Sequence, residues 1–347
     1  MKKLSEYSWN ISEEDYRKDP ALSYSTLAKF EREGFNGLPH LFDKLETPSL
    51  TFGSAVDTLI TDSETAFNER FIVCDLPPVP DTIIKIVKDI FNVYGGSVSS
   101  FDDVKDEVIY NVLNKYQYQL NWRPETRVKV VREKGSRYYE LLSISDGKTI
   151  LDSDTYTKVV AAVRTLRESN ATKKYFADNN PFDDSIERFY QLKWKASLRD
   201  DIEYRCMMDL AIVNHKNKTI RPIDLKTSGH NEWDFQHSFI QWNYQIQARL
   251  YYRLLEACLD DTEYEGYDIL NYKFIVINGN NLRPLVWEFP DTMAEGTLKY
   301  GKNRDIICRD PFDIGYELNT YLKGKYTVPY NIKETEPNDL RKFLNEL

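Results

Sequence analysis

Residues 203–227 read EYRCMMDLAIVNHKNKTIRPIDLKT. Two apolar runs, EYRCMMDLAIV and TIRPIDLKT, are joined by the polar turn NHKNK, the pattern of an antiparallel hairpin. Centring the turn on Lys216 and Asn217 makes the numbers of cross-strand partners sum to 433, and Asp209 and Asp224 share that sum. The two carboxylates are therefore expected opposite each other on one face, with Cβ atoms about 5 Å apart. Lys226, two residues beyond Asp224, lies on the same face. Pro222 cannot donate to the ladder and is a place for a bulge.

Both faces of the hairpin are otherwise apolar, with Met207, Ala211 and Val213 on one and Cys206, Met208, Leu210 and Ile212 on the other. Opposed aspartates in such a setting repel, and burying them is costly without compensation. A divalent cation with oxygen ligands, Mg²⁺ or Mn²⁺, is the usual compensation. Lys226 could then orient or deprotonate an attacking water, or stabilise the charge on a phosphate, which is the chemistry of metal-assisted phosphodiester hydrolysis. The alternative is a salt-bridged strand end. Two other Asp-x-Lys triplets, at Asp103 and Asp146, read as solvated charges.

Outward from the hairpin, IERFYQLKWKA precedes it as a strand, a helix is expected at about Asp234–Leu259, and YKFIVIN follows as another strand. A mixed sheet with flanking helices is the natural α/β packing. The helix carries Ile240, Tyr244, Gln247, Tyr251, Leu254 and Cys258 on one stripe. Gln247 and Tyr251 in that seam are either a polar pair beside the site or a core glutamine with its neighbour. Near the N-terminus, residues 20–45 read as a helix capped by Ser23 or Ser25, and TFGSAVDTLI begins a second one at Thr51. Gly53 and Asp57 there stand one turn apart, Asp57 being a site carboxylate or a surface aspartate. The three prolines among residues 75–80 mark a boundary. Residues 81–121 look helical, 127–150 read as a hairpin and 153–168 as a helix. The division expected is N-terminal helices over 1–75, a helical insertion over 76–139 and the core over 140–347.

The chain has 46 Lys+Arg against 55 Asp+Glu, a formal charge of −9, which argues against coating nucleic acid by bulk electrostatics but leaves a nuclease open. No run reaches the roughly 18 apolar residues of a membrane helix, and the N-terminal MKKLSEYSWN lacks an apolar leader core, so a cytoplasmic protein with no membrane partner is expected. The four cysteines form no CxxC pair and are expected as free thiols. No phosphate-binding Gly-x-x-x-x-Gly-Lys-[Ser/Thr] loop is present, so no ATP is expected.

The order GSAVD at 53–57, Glu187, Asp209, Asp224-Leu225-Lys226-Thr227 and Gln247-x-x-x-Tyr251 resembles the PD-(D/E)XK nuclease superfamily, and within it the RecB-like and RecE-type (exonuclease eight) branch. LSYSTLAKF resembles the helix that opens such domains, TFGSAVDTLITDSETAFNERFIV their Gly-x-x-x-His-x-x-Leu segment, and YQIQARLYY their Tyr-x-x-Gln stretch. The resemblance spans about residues 20–75 and 140–310, and the insertion lies outside it.

It implies a restriction-endonuclease-like core, a mixed central sheet flanked by helices. It implies Asp209 and Asp224 as metal ligands with Leu225 in the metal-binding set, Lys226 as the catalytic lysine, Glu187 as the glutamate of the first strand, and Gln247 and Tyr251 as the partner pair. Asp57 stands where the family usually has a metal-binding histidine, and an oxygen donor there still suits Mg²⁺. The family's iron–sulfur variants need closely spaced late cysteines, and Cys258 and Cys308 do not supply them. The expected activity is Mg²⁺-dependent exonuclease action on duplex DNA ends, with 5′→3′ polarity, a single-strand annealing partner and a ring-shaped homo-oligomer. The alternatives are a single-strand or structure-specific nuclease, and a degenerate fold that binds DNA or protein without catalysis.

Overall fold

The structure is a computed structural model and describes residues 2–43, 47–75, 79–94, 97–98 and 100–324. In chain order the elements are α1 (Glu13–Lys18), α2 (Tyr24–Glu33), α3 (Pro48–Thr61), α4 (Glu64–Arg70), β1 (Phe71–Val73), α5 (Asp81–Tyr94), α6 (Asp106–Lys115), α7 (Pro124–Ser145), β2 (Thr149–Leu151), α8 (Ser153–Glu168), β3 (Ile186–Ser197), β4 (Glu203–Asn214), β5 (Thr219–Ser228), α9 (Phe235–Gln241), α10 (Tyr244–Leu259), β6 (Asp268–Ile269), β7 (Lys273–Asn278), β8 (Pro284–Glu288), β9 (Leu298–Tyr300), β10 (Ile306–Cys308) and α11 (Pro311–Leu322). They form a mixed α/β protein of two compact units, Met1–Asp62 with Ala161–Leu347, and Ser63–Val160. The second unit reaches beyond the 76–139 insertion on both sides, and residues 76–78 of the proline-marked boundary lie outside the described residues.

The larger unit is built on a sheet of order β3-β4-β5-β7-β8, with β6 also pairing β5. β3, β4 and β5 run antiparallel, β5 and β7 parallel, and β7 and β8 antiparallel. The hairpin register is the expected one: Leu210 pairs Ile223, Ala211 pairs Pro222 and Asn214 pairs Thr219. Pro222 pairs Ala211 with no bulge, and β7 joins β5 only from the next residue, Ile223, onward.

Helix α10 packs on β3, β4 and α2, and α3 packs on β5 and β4. Ile246, Leu250 and Leu254 of α10 are fully buried against Trp194, Tyr204, Cys206 and Met208 of the sheet. Each such leucine or isoleucine is worth roughly 1.5–3 kcal/mol of transfer free energy. Among the described residues no helix is long and apolar enough to cross a membrane.

Three expected elements differ. The N-terminal helix ends at Glu33 because Gly34 takes φ 60° and ψ −156°, a conformation glycine alone accepts readily. The expected helix at Asp234–Leu259 is two, α9 and α10, separated at Trp242 and at Asn243, whose φ is 54°. The expected 127–150 hairpin is instead mostly helix α7. Its β-branched VKVV and Gly135 suggested strands and a turn, yet Val128, Val131, Gly135, Tyr138 and Tyr139 are buried at helical spacing. A Cβ on Gly135 would lie 2.6 Å from Val87 Cγ2, so this glycine serves close packing of α7 on α5. Among the described residues of 81–121 lie the α-helices α5 and α6, and their apolar faces with that of α7 form the core of the smaller unit around Ile83, Ile86, Ile90, Ile109 and Leu113.

Candidate active site

The ladder between β4 and β5 closes at Leu210 and Ile223, one step short of Asp209 and Asp224. At that step Asp209 Oδ2 accepts the Leu225 N–H at 2.8 Å, so a carboxylate takes over a main-chain hydrogen bond. Asp224 is 2% exposed. Its Oδ1 accepts from Gln247 Nε2 on α10 and its Oδ2 faces the Lys226 ammonium. Gln247 is therefore bonded to the site carboxylate, and its own Oε1 is buried without a hydrogen-bond partner.

Asp57 arrives from α3. A Cβ on Gly53 would lie 2.7 Å from Thr227 Oγ1, so the bare glycine lets the helix come down onto the end of β5. One turn later, Asp57 Oδ1 and Oδ2 accept from Gln191 Nε2 on β3 at 3.4 and 3.3 Å. Asp57 is thus turned toward the sheet, and its charge is felt at Asp209. Burial, then the charges of Asp224 and Asp57, push the Asp209 carboxyl well above the usual carboxylate range against the pull of Lys226 and the Leu225 N–H.

Burial works against the charge of Lys226, but Asp224, Tyr244 and Asp209 outweigh it and hold the ammonium well above the ordinary lysine value. An ammonium held so orients or donates. It is poorly placed to accept a proton, which narrows the roles open to it. Its Nζ lies 5.0 Å from the Tyr244 ring centroid. Tyr24 packs 6.3 Å from Tyr244, and its hydroxyl donates to the Trp242 carbonyl at 2.8 Å, at the break between α9 and α10. Arg32 stacks its guanidinium 5.1 Å over the Trp242 ring. Burial raises the hydroxyl pKa values of Tyr24 and Tyr244, and both groups feel the positive charges of Lys226 and Arg32. The two cations thus act on the same pair of tyrosines.

The structure brings together Asp57, Asp209, Asp224, Leu225, Lys226 and Gln247. Tyr251 lies one turn beyond Gln247, 6% exposed, with its ring 6.1 Å from Tyr272; burial raises its hydroxyl pKa first, and the nearby charges of Asp224 and Asp209 raise it further, so it borders the cluster from the core side. Glu187 is not at the site. It bonds His215 Nε2 at 2.9 Å and Lys3 at 3.4 Å. It stands four residues, about 13 Å of strand, from the β3 residue opposite Asp209. That residue is Gln191, which sequence reasoning missed together with Thr61, Tyr24, Arg32 and Trp242. A signal existed for Gln191: β3 and β4 pair at numbers summing to 400, a turn centred on Asp200.

The donor set is all oxygen and carries mutually repelling carboxylates, which fits a hard divalent cation better than a soft one. The carboxylates do not form a ready cage, since among the described residues no group of three His, Cys, Asp or Glu side chains is placed to hold an ion. Two of their oxygens are taken instead by Lys226 and Gln247, and a third by the Leu225 N–H. No protein-family model matches the chain, and comparison with curated proteins finds no relative.

Proposed function

We propose that the chain is a metal-dependent phosphodiesterase that degrades DNA from duplex ends, on a PD-(D/E)XK nuclease core. The observation that carries the reading is the joint placement of Asp209, Asp224 and Lys226 at the end of one hairpin, with the charge of Asp57 reaching Asp209 from a separate helix. A bound Mg²⁺ or Mn²⁺ would supply Lewis-acid activation of water and phosphate. Asp57, Asp209 and Asp224 are the side chains that would hold it, with the Leu225 main chain beside them. Gln247 fixes the Asp224 carboxylate by its amide, and Lys226 presents a lasting positive charge to the phosphate and its water. Arg32 on Trp242 gives the same neighbourhood a cation and a flat aromatic face, the pair of features with which proteins hold a nucleic-acid strand. The 5′→3′ polarity, an annealing-protein partner and a ring-shaped assembly belong to the same reading.

A second reading, a fold that binds DNA without cleaving it, is favoured by the engagement of the carboxylates with Lys226, Gln247 and Leu225. One experiment separates the readings: purified protein with linear duplex DNA and closed circular duplex, each with Mg²⁺, with Mn²⁺ and with a chelator. Metal-dependent loss of the linear form alone is expected. Nicking of the circle would make the protein an endonuclease, and no loss of either form would leave the binding-only reading standing.

A further inference from the structure

Gln191 sits within β3 between Tyr190, which pairs Leu210, and Leu192, which pairs Met208, so it is directly opposite Asp209. Its φ is 53°, a left-handed conformation uncommon for a non-glycine residue and foreign to a strand interior. Local distortions of this kind re-aim a side chain next to a functional site. Here the amide is sent to α3, where Nε2 donates to Thr61 Oγ1 at 2.7 Å and to both Asp57 oxygens. The orientation is forced. The Thr61 hydroxyl directs its proton to Asp57, to the main-chain carbonyl at 2.8 Å and to Oδ1 at 3.3 Å, so it must accept from Gln191, and a carboxylate also only accepts. The distorted strand residue facing one site carboxylate is thus a hydrogen-bond donor to both oxygens of another, beside the Thr61 hydroxyl, which reaches Asp57 Oδ1 at 3.3 Å.

We propose that Gln191 is a positioning residue that fixes Asp57 beside Asp209 for a divalent cation, a proposal that rests on the reading of these aspartates as cation ligands. The competing role is a tether that merely ties α3 to the sheet. Gln191→Gly removes the amide and leaves a residue at ease with positive φ. Gln191→Asn tolerates the same backbone with an amide one methylene short, and it stands in should the glycine variant fail to fold.

The test is calorimetric titration of metal-free protein with Mn²⁺. Relative to wild type, either variant should bind about tenfold more weakly, the loss typical when the group orienting a ligand is removed. In an Asp57→Asn background the same substitution should add no further loss, because there is no carboxylate left to position. Wild-type affinity in both Gln191 variants would overturn the proposal, as would an undiminished loss in the Asp57→Asn background. A wild-type protein that binds no Mn²⁺ would overturn the metal-dependent reading itself and this proposal with it, a result distinct from either.

Discussion

Asp209→Asn should stabilise the metal-free protein at neutral pH. Burial and the charges of Asp224 and Asp57 raise the folded-state pKa of Asp209, while the unfolded chain titrates near the ordinary value of about 3.9. Below that value the carboxyl is protonated in both states and its contribution to stability is intact. As pH rises through the interval between the two values, the unfolded chain releases the proton first, and stability falls until the folded-state pKa is passed. Above it the whole penalty remains. Each tenfold difference between the two ionisation constants is worth about 1.4 kcal/mol. For a folding unit of 150–250 residues, 1 kcal/mol moves Tm by roughly 2–4 °C. Asparagine abolishes the titration, and its Oδ1 can still accept the Leu225 N–H that Asp209 accepts at 2.8 Å. The variant should therefore melt above wild type at pH 7.5 in chelator, by about 3–6 °C for each such tenfold difference. The gap should narrow as pH falls and close near pH 4. Thermal melts at half-unit pH steps measure this. A variant that melts at or below wild type at pH 7.5, or a gap equally wide at pH 4 and pH 7.5, would refute the account of Asp209 as a carboxylate held under electrostatic stress.

Lys226→Met should abolish hydrolysis while DNA binding survives in a gel-shift assay, and it should destabilise the metal-free fold by about 3–5 kcal/mol, since Asp224 is left buried without its cation. Gly53→Ala puts a Cβ 2.7 Å from Thr227 Oγ1 and should lower kcat by about one to two orders of magnitude by displacing Asp57. Thr227→Ala in the same chain clears the clash and should restore most of the rate, and kinetics on the single and double variants decide it. Gln247→Leu takes the hydrogen bond from Asp224 Oδ1 and should cost about 1–3 kcal/mol in a urea melt, while a loss below 0.5 kcal/mol would mean the contact is incidental.

What the chain discloses without a structure depends on the range of the forces that fix each feature. The β4–β5 register was readable because strands alternate with period two and the turn is symmetric, so a single choice of centre set every partner, Pro222 opposite Ala211 included. Gln247 stood out because an amide in an apolar helical stripe needs a partner, and Asp224 proved to be that partner. Helix α7 was misread because local β propensity and a glycine outvoted a burial period that only packing against α5 makes visible. The break at Asn243 and the left-handed Gln191 leave no periodic trace, since each is one residue wide and is maintained by distant groups. Glu187 was assigned from chain order alone. A carboxylate of the right strand is not yet one at the right rung: Glu187 pairs Val213 near the start of β3 and bonds His215 and Lys3 there.

The balance of charge explains why the same cluster can be complete without an ion and still suit the one proposed for it. Fully ionised, Asp57, Asp209 and Asp224 against Lys226 leave two negative charges in a poorly hydrated space. Without a metal the cheapest relief is a proton, and Asp209, pressed by burial and by both other carboxylates, is the group whose pKa shows that pressure. Lys226 and the Gln247 amide meanwhile draw Asp224 to themselves. A divalent cation would remove both excess charges at once, whereas a monovalent ion would leave one behind, so on the proposed reading the chain's own side chains favour a divalent ion. On the proposed reading such a cation would compete with protonation of Asp209, so its affinity should rise with pH as that carboxyl ionises. The acid that weakens the empty fold would then be the one to gain most from the ion, and the two behaviours would have one cause.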